Sequence, residues 1–290
     1  MSVRICVIAD IHHGAPSCTK RGDAALQLIE DFNRYVEEVQ PDFVLDLGDR
    51  ISDIDRDTDL RLEQEVKTAF DGLSAPIYHI CGNHDRDHLD VSDNEAILNQ
   101  SLEHQTLDVG GWRIALWRAD SKIIRSSDYH GFVLREDDLL WLSRTVQNAD
   151  RPLLIASHVP VSGHSQIGNY YFENNPTSST YPMAERAREA LAQTDVPIVF
   201  LSGHVHWNTI TKVDGITHLT QQSLTESFTT KGEPAGAYGL IELDDTVRWQ
   251  VFGKDPMDYS FTPRVERWTT RMPVFSQLPE NRCLPKEPSK

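Results

Sequence analysis

Five short apolar runs, each ending in a cluster of polar residues, constrain this chain more than any other feature. They are RICVIAD (Arg4 to Asp10), DFVLDLGD (Asp42 to Asp49), PIYHICGNHD (Pro76 to Asp85), RPLLIASH (Arg151 to His158) and PIVFLSGHVH (Pro197 to His206). Runs of this length, rich in Val, Ile and Leu, read as strands buried on both faces. Between the first two, Leu26, Ile29, Phe32, Val36 and Val39 recur at helical spacing in a segment ending near Gln40, and a second helix is expected from Glu63 to Leu73. Strand, helix, strand is the βαβ signature and predicts a largely parallel core. In such sheets ligands gather beyond the carboxyl ends of the strands, where all five polar clusters fall.

Further along, Trp112 to Trp117 reads as a strand, with helices following from Glu136 to about Gln147 and from Met183 to Gln193. Alternating apolar residues and Gly-containing turns from Thr209 to Val251 predict a run of strands that completes a second sheet. From about Asp255, Pro256, Pro263, Pro273, Pro279, Pro285 and Pro288 interrupt regular structure. The expected organisation is a catalytic domain over 1–254 and a Pro-rich extension over 255–290. Tyr259, Phe261, Trp268 and Phe275 would dock that extension on the domain, with a homodimer contact as the alternative.

Acidic residues outnumber basic ones 44 to 28, for a net charge of -16. Such a field repels polyanions, so no extended nucleic acid is expected as partner. It also opposes a small phosphate ester, unless bound cations supply local positive charge. Cys6, Cys18, Cys81 and Cys283 are scattered, so neither a thiolate zinc site nor a disulfide framework is indicated, and a reducing compartment fits best. No stretch approaches the roughly 20 apolar residues needed to span a bilayer. The chain lacks a secretory signal pattern, and the expectation is a cytoplasmic protein without membrane association.

The polar clusters read Asp10 and His12; Gly48 and Asp49; Gly82, Asn83, His84 and Asp85; His158; then Gly203, His204 and His206. Carboxylate, imidazole and amide oxygen without thiolate suit Mn, Fe, Zn or Co. One ion needs three or four protein ligands, whereas seven candidates converge here: Asp10, His12, Asp49, Asn83, His158, His204 and His206. Two ions sharing a bridging carboxylate account for that number, with Asp49 as the bridge. Residues i and i+2 at a strand end can both turn toward one centre, which makes Asp10/His12 and His204/His206 plausible chelating pairs. A lone Asp-x-His is weak evidence, because a single histidine near a strand end is more often a core or capping residue; the weight lies in five such clusters in order.

These blocks, ADIH, LGD, GNHD, SH and GHVH, resemble the calcineurin-like metallophosphoesterase superfamily, whose pattern is DxH, GD, GNH[D/E], H and GHxH. The stretches ADS at Ala119 to Ser121 and GFVLREDDLLWL at Gly131 to Leu142 look like its bacterial cyclic-nucleotide phosphodiesterase (class III) branch. The fold expected with this likeness is an α/β four-layer α/β/β/α sandwich of two mixed sheets flanked by helices, with the metal site at the C-terminal ends of the strands. The resemblance further implies that Asp10, His12, Asp49 and His206 hold one metal, and that Asp49, Asn83, His158 and His204 hold the other. It makes His84 the histidine beside the substrate phosphate. Many relatives carry a carboxylate three residues after the bridging aspartate; here that position is Ser52, so Asp53 and Asp85 both compete to orient His84.

The expected function is therefore a binuclear metal-dependent phosphoester hydrolase, with Asp49 and His84 as catalytic groups and two divalent or mixed-valence transition ions as cofactors. A hydroxide bridging the ions, its pKa lowered from about 15.7 toward 7, would attack phosphorus in line. A phosphodiester carries less negative charge than a monoester, so a small diester such as a cyclic nucleotide is favoured over a phosphomonoester. Arg86, His13 and, more weakly, Arg118 are expected near the substrate, and Tyr170, Tyr171 and Phe172 in the loop from Asn169 to Tyr181 near the pocket mouth. A nuclease and a non-catalytic interaction scaffold are the remaining alternatives. The first is weakened by the acidic balance, and the second by the retention of every ligand residue.

Overall fold

The structure is a computed structural model that describes residues 2–265. In chain order the elements are β1 (Val3–Ile8), α1 (Ala25–Val39), β2 (Phe43–Asp46), α2 (Arg56–Phe70), β3 (Ile77–His79), α3 (Val91–Leu98), β4 (Gln105–Val109), β5 (Trp112–Leu116), β6 (Ile124–Arg125), β7 (His130–Gly131), α4 (Glu136–Gln147), β8 (Leu153–Ala156), α5 (Tyr170–Asn174), α6 (Ala184–Leu191), β9 (Ile198–Ser202), β10 (Thr209–Val213), β11 (Ile216–Thr220), β12 (Tyr238–Leu243), β13 (Val247–Phe252) and β14 (Met257–Phe261). Two six-stranded mixed sheets form, ordered β14-β13-β12-β1-β2-β3 and β10-β11-β9-β8-β5-β4.

The four layers follow from strands that are apolar on both faces. Ile5 and Val7 of β1 meet Leu45 of β2, and with Ile114, Leu154, Val199 and Trp249 they fill the space between the sheets. Their neighbours Cys6, Ile8 and Val44 face outward onto Ile29, Phe32 and Val36 of α1 and Leu62, Val66 and Phe70 of α2. On the opposite side, Ile155, Ile198 and Phe200 pack against Leu142 and Val146 of α4 and Ala187 and Leu191 of α6. The five motif-bearing strands are the parallel heart of this arrangement: β1, β2 and β3 lie parallel in one sheet and β8 and β9 in the other. Their carboxyl ends therefore converge between two sheets rather than along one.

Several expectations need correction. Only β10 and β11 of the Thr209 to Val251 run join the second sheet, whereas β12 and β13 pair next to β1 in the first. The second helix begins at Arg56, seven residues before Glu63, because Asp55 accepts the backbone N–H of Thr58 and starts it on a polar turn that carries no apolar period. Met257–Phe261, inside the expected extension, is a strand antiparallel to β13, and Met257 and Phe261 pack on the inter-sheet core. Trp268, Phe275 and the prolines from Pro273 onward lie outside the described residues.

Beneath β2 and β3 lies a buried charge network that the sequence pattern did not indicate. Arg50 is fully buried; it donates from Nη1 to Asp46 Oδ2 at 2.8 Å and the Ile80 carbonyl at 2.9 Å, from Nε to Glu63, and from Nη2 to Asn94 Oδ1 at 3.1 Å, with Asp85 Oδ2 at 3.2 Å. Removing one partner of such a network strands buried charge. Arg50→Met should therefore lower stability by roughly 3–5 kcal/mol, read as the shift in urea midpoint at unchanged m-value; a shift within error would show that the network contributes nothing net.

Candidate metal centre

Beyond β1, β2 and β9 the backbone turns abruptly. Asp10, His12, Asp49, His204 and His206 all take positive φ, at 51°, 48°, 56°, 72° and 61°. Non-glycine residues in this region are uncommon and each costs on the order of 1 kcal/mol, so five among seven ligand candidates mark a site where strain is held by surrounding structure. The turns explain how i and i+2 residues share one centre: left-handed residues break the alternation of an extended chain. They are fixed by cross-loop hydrogen bonds, Asp10 N–H to Gly48 O at 2.9 Å and His12 N–H to Asp49 O at 2.9 Å, and His204 N–H donates to the Asp10 carboxylate at 3.0 Å. Gly48 (φ 97°) lies against the backbone of Gly82, and a Cβ on Gly82 would sit inside the van der Waals radius of Asp49 Oδ1, so larger residues cannot hold these loops together.

Two groups result. Asp10, His12, Asp49 and His206 bring ligand atoms within 4.8 Å of one another, and Asp49, His158 and His204 do the same. Asp49 belongs to both. Asn83 stands beside the second, its Oδ1 3.3 Å from His158 Nε2.

The donor chemistry fits cations. His158 Nδ1–H donates to the Leu47 carbonyl at 2.8 Å, His204 Nε2–H to the Ser178 carbonyl at 2.7 Å, and His206 Nδ1–H to Glu226 Oε2 at 2.8 Å. Each bond sets which nitrogen turns toward the cluster, the arrangement metal-ligating histidines adopt once that nitrogen is deprotonated. Among the described residues His204 Nδ1 is accordingly buried without a partner, and His12 Nε2 faces His206 Nε2 at 2.9 Å. Burial pushes the Asp10 carboxyl up to about 6, and burial together with nearby Lys20, His84 and His206 holds His12 well below its usual value. Burial works against ionised Asp49 too, but His158 and His84 outweigh it and hold that carboxyl low. Cations here would relieve buried carboxylates and lone pairs that otherwise face one another.

With this geometry in place, known proteins can be compared. The sequence profile of the calcineurin-like phosphoesterases matches residues 3–208, which span all five motif strands and every ligand candidate. The chain belongs to this family. The family is one of dimetal phosphoester hydrolases, and the two carboxylate and imidazole groups sharing Asp49 are of that kind. The fold is similar to that of a dimetal phosphatase from Danio rerio at 17% identity and a TM-score of 0.72, over 90% of this chain and 99% of that one. A phosphoesterase from E. coli aligns at 11% identity and a TM-score of 0.43, over 90% of this chain and 100% of that one. No curated protein sequence matches the chain.

Around its cluster, this calcineurin-like phosphoesterase places His84 so that its backbone N–H donates to Asp49 Oδ1 at 2.8 Å, while its Nδ1 bonds Asp53 Oδ1. Asp53, not Asp85, therefore holds the ring. Asp85 instead accepts the N–H groups of Asp49, Arg50 and Gly82 at 2.9, 2.7 and 2.8 Å and ties the two loops together from below. His13 is buried, its Nε2 2.7 Å from Glu65 on α2, and Arg86 turns away toward Asp120 in a cavity that none of the seven ligand candidates lines. Phe172 is buried with its ring tilted against that of His204, the centroids 5.0 Å apart, so the loop from Asn169 does lie over GHVH, but Tyr170 and Tyr171 are exposed. Sequence reasoning missed Lys20, whose Nζ stands 3.5 Å from His84 Nε2, and Glu226 behind His206. Both are single charged residues with no spacing signal. Among the described residues no helix is long and apolar enough to cross a membrane.

Filling the cluster requires ionised carboxylates and neutral imidazoles. Asp10 stands at about 6 through burial, and His158 is carried up to about 9 because Asp49 and Asp10 outweigh its own burial. Both groups must lose their protons to bind an ion, so apparent metal affinity should rise with pH through 6 and continue rising to about 9. Chelator competition at stepped pH checks this, and a profile flat above pH 7 would contradict the role given to His158.

Proposed function

We propose that this protein hydrolyses a small phosphodiester at a two-metal centre held by Asp10, His12, Asp49 and His206 on one side and Asp49, Asn83, His158 and His204 on the other. The observation that carries the reading is the membership of Asp49 in both ligand groups while its Oδ1 also receives the His84 N–H. Bound ions would supply acidified water and positive charge for the phosphoryl oxygens. The protein's own groups do the rest. Asp49 is fixed from both ends, its N–H on Asp85 and its carboxylate on His84, so it cannot swing out of the site. Asp53 holds the His84 imidazole at Nδ1, which leaves Nε2 to meet a phosphoryl or leaving-group oxygen. Lys20 adds a cation beside that nitrogen, and Glu226 keeps His206 in one tautomer.

The diester preference rests on charge: in a chain of net charge -16, the singly charged ester meets less repulsion. A second reading, a phosphomonoester, is favoured by Lys20, whose ammonium suits an additional negative charge next to His84. Initial rates on a chromogenic diester and its matched monoester, with each of Mn, Fe, Zn and Co loaded in turn, separate the two. The proposal expects higher kcat/KM for the diester, and the reverse order under every metal would replace it with the monoester reading.

A further inference from the structure

The cavity into which Arg86 turns has a volume of about 160 Å³, well above the roughly 10–15 Å³ that one ordered water needs. Arg86, Arg118, Arg135, Asp120, Asp138 and Ser121 are among its walls. The two carboxylates are engaged: Asp120 pairs with Arg135 and accepts the Lys122 N–H at 3.2 Å, and Asp138 pairs with His104 at 3.0 Å and accepts the Asp120 N–H at 3.1 Å. Of the guanidinium groups, Arg135 is the one paired closely with a carboxylate. Among the described residues Arg118 donates to the carbonyls of His79 and Glu103 and to the Gln100 side chain, all neutral, and burial carries its pKa down to about 10.

Arg86 is the greater anomaly. It is 8% exposed; among the described residues its Nε is buried with no partner and its one ion-pair partner, Asp120, lies at 3.8 Å. A buried N–H donor left unpaired costs about 1–3 kcal/mol, more on a charged group, unless something completes its shell. A guanidinium with an unpaired N–H at a small polar cavity, with two more arginines among its walls, suits a tetrahedral oxyanion.

We propose that this cavity is a second anion site, binding a small phosphate-type oxyanion apart from the metal cluster. Its walls reach the GNHD turn directly, since Arg86 follows His84 by two residues and Ser121 Oγ donates to the carbonyls of Cys81 and Gly82 at 2.9 Å. An anion held here therefore braces the turn that carries Asn83 and His84.

Calorimetric titration of the metal-loaded protein with inorganic phosphate tests the assignment by stoichiometry. The wild type should bind one equivalent more than the Arg86→Gln/Arg135→Gln protein, whatever the cluster itself binds, with equal metal content in both. Arg135 is largely exposed at the rim, so Arg135→Gln alone keeps the test valid if the double variant fails to fold; it should weaken the additional equivalent by about tenfold or more. Equal stoichiometry and affinity in wild type and Arg135→Gln would overturn the proposal.

Discussion

Asp49→Ala should empty both halves of the centre at once. Asp49 belongs to both ligand groups, so its loss leaves each with too few protein donors for tight binding. Metal content by mass spectrometry is expected to fall from two ions per chain toward none. Turnover should fall by about 10³-fold or more, since two-metal assistance supplies several kcal/mol and each 1.4 kcal/mol is tenfold in rate. The variant should stay folded, because the Asp85 bridge holds the loop through backbone N–H groups rather than through the Asp49 side chain. An Asp49→Ala protein that keeps one tightly bound ion would place the bridge elsewhere.

His84→Ala separates chemistry from metal binding. His84 is in neither ligand group, so metal content should remain at two per chain. A positioned imidazole typically contributes 10²- to 10⁴-fold to the rate, and turnover is expected to drop by about that range. Asp53→Asn weakens the hold on the ring without removing it and should cost roughly 10- to 100-fold. If His84→Ala turns over near the wild-type rate with both ions present, His84 has no part in catalysis, and Lys20 becomes the group to examine.

The site was more legible than the fold that carries it, and the reason is range. Asp10/His12, Gly48/Asp49, Asn83/His84 and His204/His206 are neighbours in sequence, so their ligand types and the glycines beside them can be read directly. The structure brings Asp10, His12, Asp49 and His206 together in one group and Asp49, His158 and His204 in another. Alternation from Thr209 to Val251 marked strands correctly but carries no information about partners, and the division of β10 to β13 between two sheets is a tertiary outcome. The start of α2 was hidden by a polar first turn, and the Arg50 network by the ordinary expectation that arginine faces solvent. Arg86 shows the limit most clearly. Its place just after GNHD suggested a contact with substrate, yet it lines a cavity to which none of the seven ligand candidates contributes.

Anomalous diffraction from crystals of the metal-loaded protein addresses the binuclear claim most directly. Two peaks are predicted, each roughly 2.0–2.2 Å from an oxygen of Asp49, one among Asp10, His12 and His206 and the other among Asn83, His158 and His204. A single peak, or two peaks that do not share Asp49, would contradict it.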